Sequence, residues 1–384
     1  MLAAQLDERL FDISVFEKNA APGRKFLVAG DGGFNLTHSE DIAAFVQRYT
    51  PPSFLEKALH EFSPADLRAF LAAAGIPTFT GTSGRVFPEK GIKPIDVLNA
   101  FLEILRKKHV RFFLRHEWRG WKNDALLFCN AEQKLTVRPG YTVFALGGAS
   151  WSVTGSDGKW TSLFAEKGIR ILPFEPSNCA MQVQWPEAFL AEAEGAPLKN
   201  SAVHCGKKEK RGELVITRNG IEGGAVYFHS PCIRQQLAEK PEAAVFIDFR
   251  PDLSEAAIKE RLAAADGKTR NAQLKNLGLG KAQLALLRHF SPKTVFLDDA
   301  KMAALIKSFP LAITGMAPLD EAISSAGGIA RDETGPDFSL VKLRDTYAIG
   351  EMLDWDAPTG GYLLQACFSM GALLAHNLNR KELM

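Results

Sequence analysis

A chain of 384 residues, 46% apolar and 23% charged, has the balance of a globular protein with a large core and more than one packed unit. Its 46 basic and 44 acidic residues leave a net charge of +2, which excludes a strong long-range field toward nucleic acid or an anionic membrane and points to a small molecule as partner. The five cysteines, Cys129, Cys179, Cys205, Cys232 and Cys367, form no Cys-x-x-Cys pair and no zinc spacing, so thiols kept reduced in a cytoplasm are expected, with no metal. No apolar run is long enough to cross a bilayer, and residues 1–10 lack the basic flank of a secretory signal.

In chain order, Leu2, Ala3, Leu6 and Leu10 recur at helical spacing, and the alternation from Phe11 to Phe16 then predicts a strand closed by Glu17. A glycine-rich, turn-like stretch runs from Gly23 to Gly33, followed by helical segments over Asp41–Gln47 and Pro64–Ala74. Strands are expected at Val110–Leu114 and Tyr141–Leu146, the second running into Gly147-Gly148. Beyond Pro173 come short strand-like pieces at Ala180–Val183, Glu213–Thr217 and Ala243–Phe249, with the charged run Lys207–Arg211 as a solvated loop. Ser254 to Phe290 reads as helical, broken at Gly278-Leu279-Gly280, and Thr294–Leu297 returns to strand character. The ending mirrors the beginning: Tyr347-Ala348-Ile349 stops at Gly350-Glu351, and Gly360-Gly361 opens an apolar helix through Ala375.

Glu17 is placed as the acid that accepts hydrogen bonds from ribose hydroxyls at the end of the second strand of a dinucleotide-binding βαβ unit. Such an acid follows the Gly-x-Gly-x-x-Gly turn by about 20 residues. The first strand and its glycine turn are therefore expected upstream of residue 1. Alone, an acid after one short strand is more often a solvated charge at a sheet edge. The neighbours add weight: Gly23-Arg24-Lys25 and Gly30-Asp31-Gly32-Gly33 set glycines beside two cations, which suits close approach to a pyrophosphate. The Gly360-Gly361 pair has its own logic, since a helix N-terminus offers free N–H groups and partial positive charge that stabilise negative charge on a bound ligand. The bland alternative is a plain loop before a core helix. Hydrolase chemistry is not indicated, because Gly81-Thr82-Ser83-Gly84 and Gly148-Ala149-Ser150-Trp151 both fail the Gly-x-Ser-x-Gly spacing.

Phe16-Glu17-Lys18, Gly23-Arg24-Lys25 and Gly30-Asp31-Gly32-Gly33-Phe34-Asn35-Leu36-Thr37 resemble the bacterial flavoproteins that include aminoacetone oxidase and a bile-acid-ring reductase, within the glutathione-reductase-like FAD superfamily. The chain departs from that signature at Asp31, Gly33 and Phe34. The resemblance continues through Gly84-Arg85-Val86-Phe87-Pro88, Gly147-Gly148-Ala149-Ser150, Gly155-Ser156-Asp157-Gly158 and Gly327-Gly328. It closes with Gly350-Glu351-Met352-Leu353-Asp354 and Gly360-Gly361-Tyr362-Leu363-Leu364-Gln365-Ala366.

The resemblance implies an α/β fold, a Rossmann-like FAD-binding domain lacking its first strand, with an inserted β-rich domain that carries a helical subdomain. The expected boundaries are 1–172 with 323–384, 173–252 with 294–322, and 253–293. FAD is the implied cofactor. Glu17 would bind the adenosine ribose, Arg24 and Lys25 would lie along the phosphates, and Asn35 and Thr37 would face the flavin. Gly147 and Gly148 would pass beside the cofactor, Asp354 near its ribityl and pyrophosphate portion, and Trp118, at a strand end, beside the adenine. Lys18, Gly30, Gly32, Gly33, Leu36, Gly350, Glu351, Gly360, Gly361, Tyr362 and Gln365 complete the implied cofactor set.

The implied activity is transfer of a hydride or electron pair between a small organic substrate and FAD, the substrate entering between the FAD lobe and the insertion. Oxygen or a nicotinamide coenzyme would be the second redox partner. Two other readings stay open at this point: an inactive, flavin-deficient remnant, and an RNA-modifying flavoprotein.

Overall fold

The computed structural model describes residues 1–28, 33–265 and 269–384. They divide into two compact units, Met1–Glu175 with Ser324–Met384, and Pro176–Ile323.

In the first unit, Ser14–Glu17 pairs in parallel with Arg111–Leu114, and Thr142–Phe144 pairs in parallel with Thr346–Ala348. Phe16 fixes the first pair, its ring lying between Phe113 at 4.6 Å and Phe128 at 4.0 Å. Glu117–Lys122, Ala125–Cys129 and Lys134–Val137 form an antiparallel meander. A small sheet sets Arg85–Pro88 between Thr37–His38 and Thr78–Thr80. The segment from Arg24 to Val28, expected as turn, is a short helix. Gly23, at φ +76°, turns the chain into it.

The unit is closed by the 22-residue helix Tyr362–Leu383. It packs on Pro52–Glu61 and Leu2–Gln5. At its far end the Tyr141 hydroxyl donates to Glu382 at 2.6 Å and Lys381 pairs with Asp345 at 2.9 Å. An aromatic core surrounds the fully buried Phe164, with Phe144 at 5.0 Å, Trp160 at 5.4 Å, and Trp118 and Trp121 both at 5.5 Å.

The second unit is built on a seven-stranded antiparallel sheet in the order Phe309–Ile313, Ala243–Asp248, Pro197–Cys205, Lys208–Thr217, Gly220–Glu222, Met181–Gln182, Gly315–Met316. Lys208 to Arg211, expected as a loop, is strand: Gly206 at φ +58° lets the chain reverse in two residues, so Cys205 faces Lys208 and Ala202 faces Arg211. The charged side chains simply occupy exposed positions. Helices Glu255–Ala263, Arg270–Asn276 and Lys281–Phe290 follow, with Gly278 at φ +78° breaking the last two apart.

Thr294–Leu297, expected as strand, lies in the helical turn Lys293–Phe296, whose entry is set by Pro292. Local β-branching is overridden there. Cys205 and Cys232, expected as reduced thiols, are joined in a disulfide, because the strand end and the helix Ser230–Glu239 bring their Cα atoms to 6.3 Å. Among the described residues, no helix is long and apolar enough to cross a membrane.

His229 caps the helix that carries Cys232. Its Nε2 donates to the Val203 carbonyl at 2.8 Å, while its Nδ1 is buried with no partner. Burial pushes this imidazole down from 6.5 to about 4. The unfolded chain therefore takes up this proton from about pH 6.5 downward, whereas the folded chain resists until about pH 4.

The stabilisation is whole above pH 6.5 and is lost as the pH falls toward 4. Between pH 7 and pH 5, urea unfolding should show a loss of about 2 kcal/mol that His229→Gln does not share. Independently, Phe164→Ala should cost about 3 to 5 kcal/mol in the same assay, because the surrounding rings cannot close over the space left.

Candidate functional site

Glu17 ends its strand with one carboxylate oxygen engaged and one open. Oε1 accepts from the Asn19 N–H at 2.7 Å and from Asn19 Nδ2 at 2.9 Å, whereas Oε2 takes no hydrogen bond among the described residues. Arg24 Nη1 donates to Asn19 Oδ1 at 3.3 Å, and Lys18 pairs with Asp157 at 3.1 Å. Burial alone would raise the Asp157 carboxyl, but the Lys159 N–H and the Lys18 ammonium outweigh it and hold it below the usual range. A side chain at Gly155, φ +102°, would come within 2.8 Å of Asn19 Nδ2. The loop from Gly155 to Asp157 thus lies against residues 17–19.

Lys25 ties this end to the rest. Its ammonium lies 3.0 Å from Ser150 Oγ, 3.5 Å from Ser156 Oγ and 3.0 Å from Glu351 Oε2. Gly147 turns at φ +77° and its carbonyl accepts from Trp160 Nε1 at 3.0 Å. At Gly148 a Cβ would stand 2.1 Å from Ser325 Oγ and 3.3 Å from the Glu351 carbonyl. Gly350, at φ +80°, accepts from Trp355 Nε1 at 2.9 Å. A Cβ there would lie 3.8 Å from Cys367 Sγ on the closing helix. Burial first, and Glu351 second, push the Cys367 thiol up to about 12, so it is no thiolate at neutral pH.

The start of the closing helix forms the other half. Gly360 and Gly361 sit at φ +118° and +95°, and a Cβ on Gly361 would meet Thr37 Cα at 2.5 Å. Thr37 is fully buried and its Oγ1 has no partner. One turn along, Gln365 Nε2 donates to the Phe62 carbonyl and to Ser369 Oγ, both at 3.0 Å, while its Oε1 is buried without a partner, as is Asn35 Nδ2.

Sequence reasoning missed a polar chain beside this turn. Tyr362 donates its hydroxyl to Glu40, and Arg48 Nη2 grips Glu40 Oε2 at 2.7 Å. Burial and that carboxylate keep the Tyr362 phenol well above its ordinary value, so it stays protonated. The His38 ring stacks on Tyr362 at 5.5 Å. His38 Nδ1 accepts from the Glu40 N–H at 3.1 Å and Nε2 donates to the Ser83 carbonyl at 3.0 Å. Across the strand pair, Arg85 stands opposite His38. No local signal marks Arg48 or Glu40, whose contact with Tyr362 spans 322 residues; Arg85 lay in a recognised stretch but had no role.

Residues near both ends of the chain therefore meet, through Lys25 with Glu351 and Thr37 with Gly361. Four expected residues stand differently. Trp118 is the second residue of its strand, and its ring is packed in the aromatic core, 4.6 Å from Phe144 and 4.8 Å from Trp121, because alternation turns it inward. Asp354 gives its carboxylate to Arg331 and its N–H to the Ile329 carbonyl, so it is engaged rather than open. Leu36 points into the core with Leu67 and Leu71, and its N–H is spent on the Val86 carbonyl at 2.8 Å. Gly33, at φ +101°, is exposed beside Phe87. Gly30 and Gly32, with Asp31, lie outside the described residues.

Residues 1–377 match the family described as "HI0933-like protein Rossmann domain". The chain is 25% identical over 388 residues to the 3-dehydro-bile acid delta(4,6)-reductase of Clostridium scindens, covering 97% of this chain and 94% of that protein. It is 22% identical over 397 residues to the ribosomal RNA dihydrouridine synthase of Haemophilus influenzae, covering 99% and 95%. Among solved structures it is similar to a quinol-fumarate reductase with menaquinol molecules, at TM-score 0.50 and 14% identity, covering 100% of this chain and 69% of that one.

The glycine at 361 is required twice, by its left-handed φ and by the Thr37 backbone. Gly361→Ala should destabilise the protein by at least about 2 kcal/mol in urea unfolding. Gly91, at φ +97° with nothing within 4 Å, separates the two causes: Gly91→Ala should cost only the conformational share, about 1 kcal/mol.

Proposed function

This chain belongs to the family of HI0933-like Rossmann proteins and is an FAD-dependent oxidoreductase; we propose that Glu17, Lys25 and the Gly360-Gly361 turn are the principal groups that hold its flavin nucleotide. The observation that carries the reading is Lys25, whose ammonium gathers residues 150, 156 and 351 around one point that also adjoins the Glu17 loop.

The side chains fit FAD. Glu17 Oε2 is an acceptor left open among the described residues at a strand end, suited to ribose hydroxyls. Lys25 suits a phosphate oxygen, with Arg24 beside it, and Glu351 keeps its ammonium in place. Thr37 Oγ1, Gln365 Oε1 and Asn35 Nδ2 are buried polar atoms with no protein partner, and such atoms ordinarily meet a ligand or water. The helix start at Gly361 adds unpaired N–H groups and positive potential. Bound FAD supplies two-electron chemistry. Trp118, Leu36 and Asp354 are left out of the cofactor set on the contacts described above.

A small organic substrate fits this reading, and the similarity to a 3-dehydro-bile acid delta(4,6)-reductase favours a hydrophobic ketone. Oxygen or a nicotinamide coenzyme is proposed as second redox partner. A second reading, reduction of uridine in ribosomal RNA, is favoured by the similarity to the Haemophilus influenzae protein. The net charge of +2 speaks for the small molecule. Incubation of the FAD-loaded protein and a reduced nicotinamide with ribosomal RNA or with ring ketones separates the two, the RNA gaining dihydrouridine only under the second.

Glu17→Ala removes the open acceptor. FAD affinity should fall by about tenfold or more, read as flavin per chain after dialysis, with the far-UV spectrum unchanged. Wild-type affinity in that variant removes Glu17 from the site.

A further inference from the structure

The stretch Gly84-Arg85-Val86-Phe87-Pro88 carries the family resemblance, yet none of the roles assigned so far uses its only charged residue. Arg85 is half-buried and begins the central strand of the small sheet. Its guanidinium makes no hydrogen bond or ion pair among the described residues. Among the described residues nearby, Glu40 is held by Arg48 and Tyr362, and both His38 nitrogens are engaged, with the Glu40 N–H and with the Ser83 carbonyl. One positive charge is left over, in a place where water is only partly present.

Its position is specific. A Cβ on Gly360 would lie 3.6 Å from Arg85 Nε, so the guanidinium stands at the entrance to the 22-residue closing helix. The helix start adds positive potential of its own. Next to it the Thr37 backbone lies against Gly361, and the buried Thr37 hydroxyl has no hydrogen-bond partner among the described residues. A guanidinium offers a planar fork of donors matched to two oxygens or to one oxygen with two lone pairs. Cation and helix start both favour an electron-rich oxygen, and the hydroxyl is able to donate to one.

We propose that Arg85 is a substrate-recognition residue that anchors a carboxylate or conjugated carbonyl oxygen of the substrate beside the Gly360-Gly361 turn. The proposal rests on the reading of that turn as the flavin-facing one. Tyr362, Glu40 and Arg48 then act as positioning residues: they hold the first helical turn against the strand pair so that the guanidinium and the helix start keep their distance. The same oxygen chemistry could be met by the carbonyl edge of the cofactor, and the test separates the two sources.

The FAD-loaded full chain is compared with Arg85→Lys, Arg85→Gln and Arg85→Met by calorimetric titration with crotonate, a small conjugated carboxylate, and flavin per chain is measured on the same samples. Wild type should bind crotonate, Arg85→Met and Arg85→Gln about tenfold or more weakly, and Arg85→Lys in between, with flavin content the same in all four. Should Arg85→Met not fold, judged by its far-UV spectrum, Arg85→Gln carries the comparison. Neutral variants that bind crotonate as wild type does, or a wild type that does not bind it, overturn the proposal. Loss of flavin together with crotonate in the neutral variants also overturns it, placing the guanidinium on the cofactor. A wild type without flavin defeats the function proposed above, while its crotonate titration still decides for or against Arg85.

Discussion

The ammonium of Lys25 is the point at which three distant stretches of the first unit become one surface. It is bonded to two hydroxyls on the loop after the Thr142–Phe144 strand and to a carboxylate 326 residues away. The pair is partly sheltered, the lysine side chain 30% and the glutamate 15% exposed. A pair at that depth is screened less than one on the surface, and removing either member strands a charge that water only half reaches. The arrangement is also adaptable, because Lys25 has three donors and Glu351 two oxygens. All three donors are engaged, the Ser156 contact at 3.5 Å being the longest, so a phosphate oxygen that takes the place of that hydroxyl leaves the carboxylate where it is.

Close approach of backbones is the second constraint. Gly148 and Gly361 are glycines because another segment occupies the space where a Cβ would stand, Ser325 in one case and the Thr37 backbone in the other. Neither glycine is primarily a hinge. At the Gly361 approach the neighbouring Thr37 hydroxyl is buried with no hydrogen-bond partner among the described residues.

What was legible in the sequence was local. An acid after an alternating strand and a glycine pair before an apolar run are signals written within ten residues, and Glu17 and the Gly360-Gly361 helix start stand where those signals place them. Trp118 was expected at a strand end, but it is the second residue of its strand and alternation turns its ring toward Phe144 and Phe164. Thr294 to Leu297 has strand-like composition, but the proline ahead of it sets a helical turn. The pairing of Tyr362 with Glu40 and of Cys205 with Cys232 spans 322 and 27 residues, and no spacing rule reaches across such intervals. The charged run at 207–211 gave no hint that its hydrophilic side chains sit on a paired strand, since hydrogen bonding of the backbone leaves no trace in side-chain composition.

The closing helix is held at both ends, by the Tyr362 phenol on Glu40 at one and by Tyr141 and Asp345 on Glu382 and Lys381 at the other. Its 22 residues make a rod roughly 33 Å long. A rod clamped in this way cannot slide or roll at one tip alone. The glycine pair that opens the helix and the Asp345 and Tyr141 contacts near its other end are therefore borne by one continuous element, with no loop between them.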